Sequence, residues 1–140
     1  MKNKITIHAT IHADIEKAWE MYTDPKHIVN WNFASDDWMC PSASNNLEVG
    51  GKYIARMEAK DGSFGFDFEA TYDAVELHKY IKYTMPDAEA REVEIHFKSN
   101  DNNTTDVELT FDAENENPLD MQRDGWQAIL NNYKSYVEKN

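Results

Sequence analysis

The sequence predicts an α+β fold, with a seven-stranded antiparallel sheet curved around one long carboxy-terminal helix and two short helices after the first strand. Three observations predict it. Runs of alternating apolar and polar residues recur along the chain between turn residues, as strands with one buried face require. Successive hairpins between these runs imply an antiparallel sheet, apolar on one face and charged on the other. The last stretch, NPLDMQRDGWQAILNNYKSYV, carries an apolar stripe that can cover the apolar face.

The first strand spans residues 5–11, where Ile5, Ile7, Ala9 and Ile11 alternate with Thr6, His8 and Thr10. Asp14 then caps a helix in which Ile15, Ala18, Trp19 and Tyr22 fall at i, i+3, i+4 and i+7, and which ends before Asp24-Pro25. A second helical turn covers residues 25–31, with proline at its first position and Ile28 and Trp31 on one side. Residues 32–46 show no period, and about 15 residues is a length at which loops tend to be functional or mobile. That loop holds Phe33, Trp38, Met39 and Cys40, so it is expected to pack down as a lid rather than stand exposed for a partner.

Strands then dominate. Gly50-Gly51 marks a turn or bulge, after which Tyr53, Ala55, Met57 and Ala59 alternate with polar neighbours up to the hairpin signal Asp61-Gly62. In the most regular run, Phe64, Phe66, Phe68, Ala70 and Tyr72 share a face. A short strand YIKYT, a strand with Val93, Ile95 and Phe97 on one face, and a last strand with Val107, Leu109 and Phe111 follow. The expected order is strand, two helices, six strands, helix.

In the final helix Trp126, Ile129, Leu130, Tyr133 and Val137 form one stripe, with Gln127, Asn131, Lys134 and Glu138 on the other side. Asn117 is placed to cap it, Pro118 to take the first position and Asp120 to set a carboxylate at the positive end of the dipole. At its predicted extent the helix is about 30 Å long, enough to cover a sheet face. Gly125 costs about 1 kcal/mol relative to alanine. It is either compensated by a close approach of backbone or bound molecule, or simply tolerated. A curved sheet whose helix does not fill the concavity leaves a cavity.

The length of 140 residues predicts one domain over residues 1–140. A formal net charge of -12, without any Lys/Arg cluster, excludes nucleic acid and an anionic membrane surface as partners. The amino terminus has no continuous apolar segment, and no run approaches the ~20 apolar residues of a membrane span, so a cytoplasmic location is expected. The single cysteine, Cys40, allows no intrachain disulfide and reads as packing, with Asp36 and Asp37 expected to raise its pKa.

Strand parity points Tyr53, Met57, Phe64, Phe66, Phe68, Tyr72, Val93, Ile95 and Phe97 inward. With Tyr83, Trp126, Leu130 and Tyr133, and with Trp31 and Trp38 bounding a gating loop, most of these make up the expected wall of a ligand cavity. Tyr53, Tyr72, Tyr83 and Tyr133 could offer hydroxyls to polarise a carbonyl, although the commoner role is a packed ring with its oxygen at the rim. His8, His12, His27, His78 and His96 lack metal-ligand spacing on a helix, and no Ser-His-Asp order, phosphate loop or CxxC is present. No catalytic residue, metal or cofactor is therefore expected.

The segment IHADIEKAWEMYTDPKHIVNW, the GGKY at Gly50 to Tyr53, the DG hairpin, the run FEATYDAVELHKYIKYT and the closing GWQAILNNYKSYV together resemble the START-like, or SRPBCC (Bet v 1-like), superfamily. Within it the likeness is to the branch named for the activator of Hsp90 ATPase. This resemblance implies the helix-grip fold, with two short helices closing one end of an internal cavity. Members carry hydrophobic ligands, cyclise polyketides or bind partner proteins, so the fold fixes little about function. The segment MPDAEAREV is brief compared with many relatives, and no acid and base pair transfers. Two functions follow as expectations: non-catalytic binding of a small hydrophobic or aromatic molecule, or a stress- or chaperone-associated protein-interaction module with a filled core. A cyclase-type enzyme is a weaker third. A pocket of about 300 Å³ or more separates the first from the second.

Overall fold

The computed structural model describes residues 3–140. Strand β1 (Lys4–Ile11) leads into helices α1 (Ile15–Thr23) and α2 (Pro25–Ile28). Strands β2 (Trp38–Asn45), β3 (Lys52–Ala59), β4 (Gly65–Glu76), β5 (Tyr80–Thr84), β6 (Glu92–Ser99) and β7 (Thr105–Asp112) follow, and α3 (Leu119–Lys139) closes the chain. All seven strands form one antiparallel sheet in the order β1-β7-β6-β5-β4-β3-β2. Neighbours from β2 to β7 are joined by short connections, whereas β1 and β2 lie at opposite edges, so α1 and α2 carry the chain across the end of the sheet.

Alternation places the core. Ile5, Ile7, Ala9 and Ile11 of β1, Val93, Ile95 and Phe97 of β6, and Val107, Leu109 and Phe111 of β7 are all buried on the concave face. Each large apolar side chain so buried contributes roughly 1.5–3 kcal/mol. Asp14 caps α1, its carboxylate accepting from the Lys17 amide at 2.9 Å. Asp24 ends that helix and begins the next: its amide donates to the Glu20 carbonyl while its side chain accepts from the Lys26 amide.

Two expectations are corrected. Residues 32–46 are not a loop throughout, since β2 occupies Trp38–Asn45 and pairs with β3. Its register slips between Met39 and Ser42, the stretch that holds Pro41. An edge strand tolerates this because proline there removes no needed ladder bond. Asn117 does not cap α3: Pro118 stands at that position, and Gln122 secures the entry instead, its amide group donating to the Glu114 and Asn117 carbonyls and accepting from the Glu114 amide.

The polar side of α3 meets the first strand. Gln127 donates to the His8 carbonyl and Lys134 to the Thr10 carbonyl, while Glu138 accepts from the His12 amide. These are the backbone groups that edge strand β1 and its continuation turn away from β7. The polar stripe therefore seals an edge that would otherwise be open to another strand.

Gly125 meets nothing within 4 Å of where a Cβ would stand, so no close approach compensates its cost and the tolerated-glycine reading holds. Gly125→Ala is expected to stabilise the protein by about 0.5–1 kcal/mol in urea unfolding. Destabilisation would show that the glycine's freedom is used.

Candidate functional site

Helix α3 lies across the concavity without filling it. Its Trp126 ring stacks on Phe111 of β7, centroids 4.2 Å apart and planes within 10°, and stands edge-on to Phe68 of β4 at 6.4 Å. One helical stretch further on, Tyr133 is fully buried, its hydroxyl donating to the Ala18 carbonyl of α1 at 2.5 Å and its ring meeting Tyr22 and Trp31. Between these two anchors and the central strands lies a pocket of about 510 Å³.

Eleven of the residues expected in its wall line it: Trp31, Tyr53, Met57, Phe66, Phe68, Tyr72, Tyr83, Ile95, Trp126, Leu130 and Tyr133. The remaining three do not. Phe97 turns toward α1, packing on Trp19 at 5.1 Å and Tyr22 at 5.6 Å. Phe64 precedes β4 and is 60% exposed, because neither α3 nor the sheet's curvature reaches the hairpin tip. Trp38 sits on edge strand β2, its ring against Phe64 and Phe66. The segment from Trp31 to Trp38 is packed down: Trp31 is buried, with its indole N–H donating to the Met21 carbonyl, and the Phe33 carbonyl accepts from Asn132 of α3.

Sequence reasoning missed Tyr22, Asn32, Asn45 and the charged rim. Tyr22 was legible only as part of the α1 stripe, and nothing local marks the two asparagines. The Asn45 side chain accepts from the Tyr72 hydroxyl at 2.6 Å and donates to the Thr23 carbonyl, while Asn32 donates to the Tyr53 hydroxyl at 3.2 Å. The mouth is marked by exposed Phe66, Asp67, Pro86 and Asp87. Its charges are paired: Asp87 with Arg91 at 2.7 Å, Asp67 with Arg56 and Glu69 with Lys52, both at 3.4 Å.

Inside, the ionisable groups are phenols, and burial pushes the hydroxyls of Tyr22, Tyr53, Tyr72 and Tyr83 up, so they stay neutral. Cys40 is buried behind this wall, and burial, rather than Asp36 or Asp37, raises its thiol. Among the described residues no group of three or more His, Cys, Asp or Glu side chains is placed to hold a metal ion. His27 pairs with the Tyr136 hydroxyl, His12 with Glu138 and His8 with Asp106, all outside the pocket. No helix among the described residues is long and apolar enough to cross a membrane.

A seven-stranded sheet curled round its carboxy-terminal helix, with two short helices closing one end, is the helix-grip class. The chain belongs to the family described as Activator of Hsp90 ATPase homolog 1-like protein, whose sequence profile matches residues 12–138. The solution structure of an AHSA1-like protein from Aeromonas hydrophila is 42% identical, with 98% of this chain covering 93% of that one at a TM-score of 0.89. Chr148 from Cytophaga hutchinsonii is 44% identical, with the same coverage and a TM-score of 0.82. CV1439 from Chromobacterium violaceum, 20% identical over 99% of both chains, shares the fold at a TM-score of 0.87. No curated protein matches the chain.

Proposed function

We propose that the protein binds a small hydrophobic or aromatic molecule in the pocket between α3 and the concave face of the sheet, without chemically altering it. The observation that carries this reading is the pocket itself. Its volume of about 510 Å³ falls within the roughly 300–1,000 Å³ of small-molecule sites, and its wall is mostly aromatic and aliphatic with a few polar groups. A core packed to ordinary density would leave only voids of about water size. The neutral phenols and paired rim charges leave no obvious acid and base couple beside a reacting atom.

A second reading, a chaperone-associated interaction module, draws on the family's description and on the partly exposed aromatic cluster of Trp38, Phe64 and Phe66 at the β3–β4 tip. A cytoplasmic location accords with both, given a buried lone thiol.

Native mass spectrometry of freshly expressed protein distinguishes them. The ligand reading expects a noncovalent mass increment that denaturing extraction removes. Phe66→Ala is expected to lower its occupancy while costing little stability, because Phe66 is 42% exposed. A bare polypeptide mass at full signal, under conditions that preserve noncovalent complexes, overturns the ligand reading in favour of the interaction module.

A further inference from the structure

The pocket wall holds an imbalance of hydrogen-bonding groups. No fully enclosed side-chain nitrogen or oxygen among the described residues lacks a partner. The hydroxyls of Tyr22 and Tyr83 make no hydrogen bond among the described residues, although Tyr83 is only 5% exposed, and both residues line the pocket. Tyr53, 9% exposed, accepts from Asn32 but donates to nothing, so its proton is also uncommitted. All three residues line this one pocket. Their rings are held by the wall, Tyr53 against Tyr83 at 6.1 Å and Tyr22 stacked on Trp31 at 5.2 Å.

The neighbouring polar groups are committed elsewhere. Tyr72 donates to Asn45, Tyr133 to the Ala18 carbonyl and the Trp31 indole to the Met21 carbonyl. What remains is a set of O–H donors in an apolar, partly enclosed space, where an unmet donor costs about 1–3 kcal/mol. A carbonyl oxygen, with two lone pairs and no proton of its own, can accept from two such donors. A carboxylate would do so only by entering the pocket without a cation. Arg91 is the single basic residue in the wall, stands at the mouth and is bound to Asp87, and a buried unpaired charge is costly.

Resting on the ligand-binding reading above, we infer that the pocket selects a neutral molecule with a carbonyl oxygen on an aromatic or alicyclic frame, gripped by the hydroxyls of Tyr22, Tyr53 and Tyr83. The frame occupies the space bounded by Phe68, Met57, Ile95 and Trp126. Burial keeps the three phenols protonated, which preserves them as donors at any physiological pH.

Three rigid probes of one shape test this by titration of tryptophan fluorescence: 9-fluorenone, fluorene and fluorene-9-carboxylate. Fluorenone is expected to bind about tenfold more tightly than fluorene, the gain from two neutral hydrogen bonds, and the carboxylate more weakly than either. Tyr22→Phe and Tyr83→Phe remove only an unpartnered hydroxyl. Each should lower fluorenone affinity several-fold, leave fluorene unchanged and leave folding stability unchanged or raised. The carbonyl stretch of bound fluorenone should lie at lower wavenumber in the wild type than in either variant. Tyr136→Phe, whose hydroxyl pairs with His27 outside the pocket, should leave the ketone-to-hydrocarbon ratio unchanged. Equal affinities for ketone and hydrocarbon, a preference for the carboxylate, or no effect of the two tyrosine variants overturns the carbonyl assignment while leaving hydrophobic binding intact. Failure of all three probes to bind overturns both readings.

Discussion

Tyr133→Ala is expected to cost about 3–5 kcal/mol of folding stability, the range for emptying a large buried aromatic site. The ring is fully buried and meets Tyr22 at 5.0 Å and Trp31 at 5.2 Å, while the hydroxyl ties α3 to α1 through the Ala18 carbonyl. Tyr133 thus joins α3 to α1 and to the Trp31 segment, so the cavity left behind cannot collapse without moving a helix. Tyr133→Phe separates the contributions: it keeps the ring and loses one hydrogen bond, for an expected cost of about 1 kcal/mol. Urea unfolding monitored by circular dichroism measures both. A cost for Tyr133→Ala near that of Tyr133→Phe would mean that the ring is not a structural anchor. Domains are stable by only about 5–15 kcal/mol, so the alanine variant should also be visibly more sensitive to proteolysis.

Gly51→Ala is expected to cost about 3 kcal/mol or more, for a different reason. A Cβ at Gly51 would fall inside the carbonyl of Asn46, with the carbonyl carbon only 3.0 Å away, and backbone cannot give way as a flexible side-chain tip can. The surrounding bonds fix that geometry. The Gly50 amide donates to the Tyr72 carbonyl, the Tyr72 amide to the Gly51 carbonyl, and the Gly51 amide to the Glu48 carbonyl. The Gly-Gly pair thus clasps β4 at Tyr72, a residue of the pocket wall, so a shift here also disturbs the Tyr72–Asn45 hydrogen bond. Gly50→Ala is the internal control. Gly50 has φ +83° but open space around it, so it should cost only the about 1–2 kcal/mol of a left-handed alanine. If thermal unfolding places the two variants together, the steric argument for Gly51 fails.

Much of the fold was legible because its signals are local. The alternation of Ile5, Ile7, Ala9 and Ile11, the Val93–Phe97 and Val107–Phe111 runs, the Asp14 cap and the Trp126–Val137 stripe each depend on a few neighbouring residues, and each appears as read. Strand β2 was not legible, because WMCPSASN has neither alternation nor strand propensity and becomes a strand by pairing with β3. That the polar stripe of α3 meets the backbone of β1 was not legible, because nothing in the helix reveals that the edge of β1 lies beside it.

The pocket divides in the same way. By itself the sequence determined which side of each strand is apolar, hence which rings are available to a concave face, since side-chain parity is a property of the backbone alone. Tertiary structure alone decided how far that face is covered, leaving Phe64 in solvent and Phe97 turned toward α1. It also decided that Tyr22, Tyr53 and Tyr83, from three separate elements, line one pocket. Curvature and the placement of α3 set those distances, and they arise from long-range packing that no local period encodes.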